Sequence, residues 1–254
     1  MDIITSNDNN LVKQARKLLE KKYRREVGHF LLEGPKQIAD AIAGGFVVDK
    51  IFVEQNQEAR FADIIALCSA QVIVVSKNVM DSLCDTQTPQ GIVAELVLPV
   101  VKPYKYSAGD KLLILDRISD PGNMGTIIRT AKATGFEHIF AIDCVDAYSP
   151  KVVRSSSGVI LSSNVYPVEE NAIISYCKKH NIELLIADMN GQNIFDYEPF
   201  GDYAIVVGNE GHGVSEELKS AGKLIRLPMK RGVESLNAGV SASVLMYALN
   251  GKNI

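Results

Sequence analysis

Three short stretches in the second half of the chain bring together residue types that could do chemistry on a bound ligand. They read LDRISDPGNMGTIIRTAKATG (115–135), VVGNEGHGVSEE (206–217) and IRLPMKRGVESLNAGVSASVLMYAL (225–249). In the first, Gly122 and Gly125 allow a tight turn and close backbone approach. Arg129 follows on a helix, where its guanidinium can hold an anion or a hydroxyl. Asn123 is either a helix cap or a ligand to that site. In the second, Glu210 stands between glycines and can orient Arg129 or a substrate group; otherwise it is an exposed turn residue. The glycine spacing is neither G-x-G-x-x-G nor a loop closed by Gly-Lys-Ser/Thr, so no dinucleotide or phosphate cradle is indicated. His212 is a lone loop histidine and is not assigned as a base. In the third, Ser235 and Asn237 sit at the mouth of an apolar helix and are ordinary cap types. Gly239, Ser241, Ala242 and Ser243 keep the start of that helix slim, which permits close packing.

These loops need a scaffold. The second half alternates strand and helix patterns, with strands predicted at 111–116, 138–142, 182–187, 203–207 and 224–227. Helices are predicted at 125–134, 150–157, 169–180, 214–220 and 237–250. Runs such as LLIL and AIVV are apolar on both faces, as in a parallel sheet covered on both sides. Ligands of such sheets bind beyond the carboxyl ends of the strands, where the three loops fall. The first half reads as a smaller α/β unit. Pro35 opens a helix that stops at Gly44-Gly45. Strands are predicted at Lys50–Glu54, Val72–Val75 and Ile92–Leu98, with helices near 57–68 and 77–84. Segment 101–110 lacks a clear period and is predicted to link a domain over 1–100 to one over 111–254.

An amphipathic helix is predicted over 11–25, with Leu11, Ala15, Leu18 and Leu19 on its apolar face. Its other face carries Lys13, Arg16, Lys17, Lys21, Lys22, Arg24 and Arg25 against one acid, Glu20. Intrahelical pairing would call for more acids, so contact with a phosphate backbone is the preferred reading over a solvated face.

Composition sets the outer bounds. The chain has 254 residues, 46% hydrophobic, and a net charge of −3, which suits a globular protein with local rather than general basic character. No apolar run approaches the roughly 20 residues of a membrane span, and no secretory signal is predicted at the N-terminus. Cys68, Cys84, Cys144 and Cys177 include no C-x-x-C, and His29, His138, His180 and His212 have no ligand spacing. No metal is expected, and reduced thiols in a cytoplasmic protein are the default.

The segments DPGNMGTIIRTAKATGF, VVGNEGHGVS and IRLPMKRGVESLNAGVSASV, in this order, resemble the SpoU (TrmH-like) family of RNA ribose 2′-O-methyltransferases of the SPOUT superfamily. VGHFLLEGPKQIADAI and TPQGIVAEL resemble its accessory RNA-binding domain. The resemblance implies an α/β fold: a C-terminal SPOUT α/β knot with a mostly parallel sheet and a trefoil knot after about residue 200. A small α/β domain akin to certain ribosomal proteins precedes it. It implies S-adenosylmethionine as cofactor, RNA as substrate, a homodimer and no membrane. By carry-over, Asn123, Arg129, Glu210, Ser235 and Asn237 form the catalytic set. Ala187, Asp188, Met189, Gly208, Asn209, Gly211, Leu227, Met229, Ser235, Leu236 and Asn237 hold the cofactor. Arg154 is assigned to RNA, reaching into the partner's site. Where the family has valine and an apolar helix start, this chain has Ala238-Gly239-Val240-Ser241. Gly239 costs about 1 kcal/mol in helix propensity.

A guanidinium keeps its proton, with a pKa of roughly 12.5 or above. Either Arg129 loses its proton transiently, aided by a substrate phosphate, or, as the pKa favours, it stays cationic and stabilises the developing alkoxide while another group takes the proton. Glu210 is expected to orient it, with Asn123 and Ser235 on the ribose and phosphate. The substrate expected is ribosomal RNA, with transfer RNA as the alternative. An inactive RNA-binding protein on the same fold would be expected to have lost Arg129, Glu210 or Asn237, and all three are present. A dinucleotide-dependent oxidoreductase lacks its glycine motif after LLILDR.

Overall fold

The structure, a computed structural model, describes residues 2–233 and 235–250. The chain divides into two compact units. One holds the chain up to Val100 together with Tyr148–Val153; the other holds Val101–Ala147 and the chain from Arg154 onward.

The first unit runs α1 (Asn10–Lys17), α2 (Lys21–Val27), β1 (His29–Glu33), α3 (Pro35–Ala43), β2 (Val48–Glu54), α4 (Ala62–Ile65), β3 (Gln71–Val75), α5 (Lys77–Leu83) and β4 (Ile92–Val97). Its sheet has the order β1-β4-β2-β3, with β4 antiparallel to both neighbours and β2 parallel to β3. Pro35 opens α3 and Gly44 ends it, as the sequence predicts. The helix expected over 57–68 is shorter: a 3-10 turn at Glu58–Phe61, then the single turn of α4.

The helix expected over 11–25 is two helices, and periodicity explains the break. Val12, Ala15 and Leu18 are buried against Phe52, Val75 and Met80. A straight helix would next turn Lys22 and Arg25 into that core. Instead Leu18, Leu19 and Glu20 bond three residues back, to Ala15, Arg16 and Lys17. The chain turns, and Tyr23 packs on the core while Lys22 and Arg25 stay exposed. Arg24 points inward and donates to the carbonyl of Leu18 at 2.7 Å.

The second unit runs β5 (Leu112–Asp116), α6 (Pro121–Ala133), β6 (His138–Ile142), α7 (Pro150–Ser155), β7 (Asn164–Pro167), α8 (Glu170–Lys179), β8 (Glu183–Asn193), β9 (Tyr203–Gly208), α9 (Glu216–Ala221), β10 (Lys223–Arg226) and α10 (Ala238–Asn250). The first four residues of α7 group with the first unit. The six-stranded sheet has the order β10-β8-β9-β5-β6-β7, and every pair is parallel. β5 is central and buried along its whole length, which is why LLIL shows no alternation. From β5 the chain winds outward through β6 and β7. It then crosses to β8, and β9 inserts between β8 and β5. The order thus reverses at β5–β9, the switch point where α/β sheets bind ligands. Two features were not expected: β7, and the run of β8 on to Asn193, where it re-pairs with Ile225 and Arg226 of β10 after a register shift.

Segment 101–110 has no helix or strand, and it is fastened to the second unit. The Tyr104 ring lies 5.2 Å from that of Phe140 and 5.7 Å from that of Tyr176. The Tyr106 hydroxyl donates to Asp202.

The start of α10 resolves the question posed by Gly239. α10 packs on α6, and a Cβ at Gly239 would stand 3.4 Å from Thr126 Cβ and 3.2 Å from Asn237 Oδ1. Four residues on, Ser243 and Thr130 share a 3.0 Å hydrogen bond between hydroxyls. The lost propensity is exchanged for close approach of two helices.

Candidate active site

The loops after β5, β9 and β10 carry the three motifs, and side-chain hydrogen bonds join them. Asp120, not Asn123, caps α6: its carboxylate accepts from the Asn123 N–H at 2.8 Å. This leaves the Asn123 side chain for tertiary work. Its Nδ2 donates to the Glu210 carboxylate, and its Oδ1 accepts from Asn237 Nδ2 at 2.8 Å. Asn237 Oδ1 in turn accepts from the Val240 N–H at 3.2 Å, so Asn237 both caps α10 and ties it to α6. A carboxylate only accepts, which sets the orientation of the Asn123 amide and then that of Asn237. Asn123 is itself buried, at 8% exposure, so the relay meets the rule that buried polar groups find partners.

Glu210 is held in place from below. Asn209 Nδ2 donates to the carbonyl of Arg117 at 2.9 Å, and its Oδ1 accepts from the N–H groups of Gly211 and His212. Asp116, 1% exposed at the end of β5, takes both Arg117 Nε and Nη2 at 2.8 Å and also the Ser215 N–H at 2.8 Å. Donating to the Asp116 carboxylate raises the pKa of Arg117. One buried carboxylate thus fixes both ends of the loop that presents Glu210. Asp116 and Arg117 were not singled out from sequence; the only local sign was an acid closing an apolar strand.

Arg129 does not meet Glu210. It is exposed on α6, and its Nη1 donates to Ser157 Oγ at 3.2 Å. Among the described residues the hydrogen bond to Glu210 comes from Asn123. The expected Glu210–Arg129 pair is therefore replaced by two separate contacts on different faces of α6.

A cleft of about 130 Å³ opens beside the third loop. Ala187, Asp188, Met189, Leu227, Met229, Ser235 and Leu236, which the resemblance assigns to the cofactor, line it. Ile225, Arg226, Ser241 and Leu245 complete it and were not foreseen. Gly208, Asn209, Gly211 and Asn237 are not among its lining residues; Asn209 and Asn237 are engaged in the loop contacts above. The lining is mostly aliphatic and thioether. The Asp188 carboxylate is bridged to Lys219 Nζ at 3.3 Å. Asp188 and Arg226 are the charged side chains of the lining.

On the first unit, Lys13, Arg16, Lys17, Lys21, Lys22 and Arg25 are exposed. Lys13 pairs with Asp8 at 2.9 Å. Arg24 leaves the expected RNA-facing set, because it is 2% exposed and bound to the Leu18 carbonyl. Arg154 is exposed in the last turn of α7. One group of metal-competent side chains exists among the described residues: His29, Asp49 and Glu95, brought together by the first sheet. Lys50 already bridges Asp49 and Glu95, at 2.5 and 3.1 Å. Burial opposes its charge, but these bonds outweigh burial and raise its pKa. An ammonium thus fills the place of a cation.

A parallel sheet with two motif loops at its switch point and a cleft beside the ends of β8 and β10 is an α/β domain built to hold a ligand, here accompanied by a smaller α/β unit. Residues 110–247 match the SpoU rRNA Methylase family, and residues 9–94 match the MRM3-like substrate binding domain. The chain is 33% identical, over 96% of its length and 92% of the other, to an uncharacterized tRNA/rRNA methyltransferase of Synechocystis. It is 32% identical, over 99% of its length and 100% of the other, to the 23S rRNA (guanosine(2553)-2′-O)-methyltransferase RlmP of Bacillus subtilis. The AdoMet-bound rRNA methyltransferase of Sinorhizobium meliloti superposes with a TM-score of 0.89 at 25% identity, covering 100% of this chain and 98% of that one. The chain belongs to the SpoU rRNA methylase family.

Proposed function

We propose that this protein transfers the methyl group of S-adenosylmethionine to a ribose 2′-hydroxyl of ribosomal RNA. The observation that carries the reading is the convergence of three motif loops, tied by Asn123, Glu210 and Asn237, next to the apolar cleft that Ser235 and Leu236 help to line. The identity to a 23S rRNA enzyme favours large-subunit RNA.

Leu227, Met229, Leu236 and the 187–189 segment hold the cofactor in this reading. When bound, S-adenosylmethionine supplies a methyl group already activated by positive sulfur, so no metal is called for. Arg129 stays cationic and stabilises the charge that develops on the 2′-oxygen while another group, solvent water in the simplest case, takes its proton. Asn123 and Ser235 orient the ribose and phosphate. Glu210 acts through Asn123. The domain over 1–100 binds RNA through Lys13, Arg16, Lys17, Lys21, Lys22 and Arg25, and 111–254 does the chemistry. The knot after residue 200 belongs to this reading.

The functional unit is a cytoplasmic homodimer. Val240, Val244 and Tyr247 recur at helical spacing along α10 and are 47%, 37% and 52% exposed, a stripe that a second copy would cover. Arg154 then reaches the partner's site. Among the described residues no helix is long and apolar enough to cross a membrane.

The test is transfer of labelled methyl to unmodified total RNA from a strain lacking the gene, followed by size fractionation. Label in one large RNA, lost in Arg129→Ala, is expected. Label in the transfer RNA fraction would keep the chemistry and overturn the substrate. No transfer and no cofactor binding would leave an inactive RNA-binding protein.

A further inference from the structure

The end of α7 and the turn that follows it read Ser155-Ser156-Ser157-Gly158, and each serine is used differently. Ser155 Oγ donates to the carbonyl of Pro121 at 2.8 Å, which anchors the turn to the first turn of α6. This contact needs a bare helix surface: a Cβ at Gly125 would fall 1.9 Å from Ser155 Oγ. Ser156 is fully buried. Ser157 is exposed, and its hydroxyl receives Arg129 Nη1.

Ser157 does this from an unfavourable backbone. Its φ is +55°, and Gly158 follows at +80°. Residues other than glycine seldom occupy the left-handed region, and serine gains little there from its short side chain. Glycine would adopt the same turn more easily, but it would bring no hydroxyl. Such an outlier beside a reactive group argues for a use.

We propose that Ser157 is a positioning residue for Arg129: the anchored turn holds one guanidinium nitrogen so that the remaining N–H groups face the substrate oxygen. This rests on the methyltransferase reading, in which Arg129 acts on the 2′-oxygen. Arg129 is a long side chain with several rotamers, and one fixed contact reduces the freedom lost on reaching the transition state. The contact lies on the α6 face that also carries Gly125, four residues earlier, so the anchor and the acceptor act on one side of the helix.

The test is Ser157→Gly, with single-turnover transfer to large-subunit RNA. Glycine relieves the backbone, so the melting temperature should stay level or rise. The rate should fall about three- to tenfold, the range of an ordinary hydrogen bond, because solvent competes for both exposed partners. The dissociation constant for S-adenosylmethionine should not change. Ser157→Asn, which tolerates the left-handed region and offers an amide oxygen, should recover part of the loss. Three results would overturn the proposal: a Ser157→Gly rate within twofold of the parent, a loss that comes with a lower melting temperature, or equal loss in Ser157→Asn. Arg129→Ala separates the two levels. If it transfers methyl normally, the underlying reading fails; if it is inactive while Ser157→Gly is fully active, only the positioning role fails.

Discussion

Asn123→Asp probes the relay between the three loops with almost no change in shape. In the parent, Asn123 donates to Glu210 and accepts from Asn237. The aspartate keeps the acceptor and removes the donor, setting two carboxylates face to face. Losing a bond to a charged acceptor costs about 1.5–3 kcal/mol, and the lower end applies because Glu210 is exposed. Two like charges about 3 Å apart in a largely aqueous setting add about 1.4 kcal/mol. The variant should therefore be about 3 kcal/mol less stable at pH 8. The pair can share a proton at lower pH, so the carboxyl pKa is raised in the folded state relative to the unfolded one. The penalty should then be small at low pH and grow as pH rises through the folded-state value. Urea unfolding followed by circular dichroism is suitable, since the chain has no tryptophan. The decisive variant is the double change Asn123→Asp with Glu210→Gln. It reverses donor and acceptor while the Asn237 bond survives, and it should recover about 2 kcal/mol. A double variant no more stable than Asn123→Asp alone, or a penalty independent of pH, would refute the relay as drawn.

Asp116→Ala removes the acceptor shared by Arg117 and Ser215; it should cost about 2–4 kcal/mol, and amide exchange should accelerate over 208–215. Gly239→Val should destabilise by about 1–3 kcal/mol through crowding between α10 and α6. Gly239→Ala should stay within about 1 kcal/mol, because helix propensity offsets a Cβ contact near 3.2 Å. Burial pushes the thiol pKa of Cys144 up to about 11 and that of Cys177 up to about 12. Unfolded thiols ionise near 9.0, so the melting temperature should hold below pH 9 and decline from there toward pH 12, with both thiols slow to react with disulfide reagents in the native protein. In the proposed dimer, Val244→Glu on the exposed stripe of α10 should halve the mass measured by light scattering; a dimer unchanged by it would remove α10 from the interface, and a monomeric parent would remove the dimer.

Much of the architecture was readable because it depends on local rules. Runs apolar on both faces gave the buried parallel strands, and Pro35 with Gly44-Gly45 bounded α3. The three loops stood out because glycine, asparagine and proline concentrate where the chain must turn. The errors came where two local rules competed. One apolar period ran through residues 11–25, but it would have buried Lys22 and Arg25, and the chain broke at Leu18–Glu20 to avoid that. Arg24 looked like its cationic neighbours, although its guanidinium serves a buried carbonyl. β7 is short and lies at the sheet edge, so its four residues carry little pattern of their own.

Sequence alone determined which chemical groups are available, and in what order: Asn123 and Arg129 on one helix, Glu210 between glycines, Ser235 and Asn237 before the last helix. These are properties of composition and spacing, which hold before any folding. Partnership was decided only by the tertiary structure. Asp120 took the cap of α6, and that freed Asn123 to reach Glu210, 87 residues away. Arg129 turned toward Ser157 rather than Glu210 because positions 123 and 129 lie on different faces of α6. Asp116 became the anchor of a loop 99 residues later because β9 inserts beside β5. A hydrogen bond depends on a few tenths of an ångström and on direction, and only the assembled sheet brings residues so far apart in sequence to that precision.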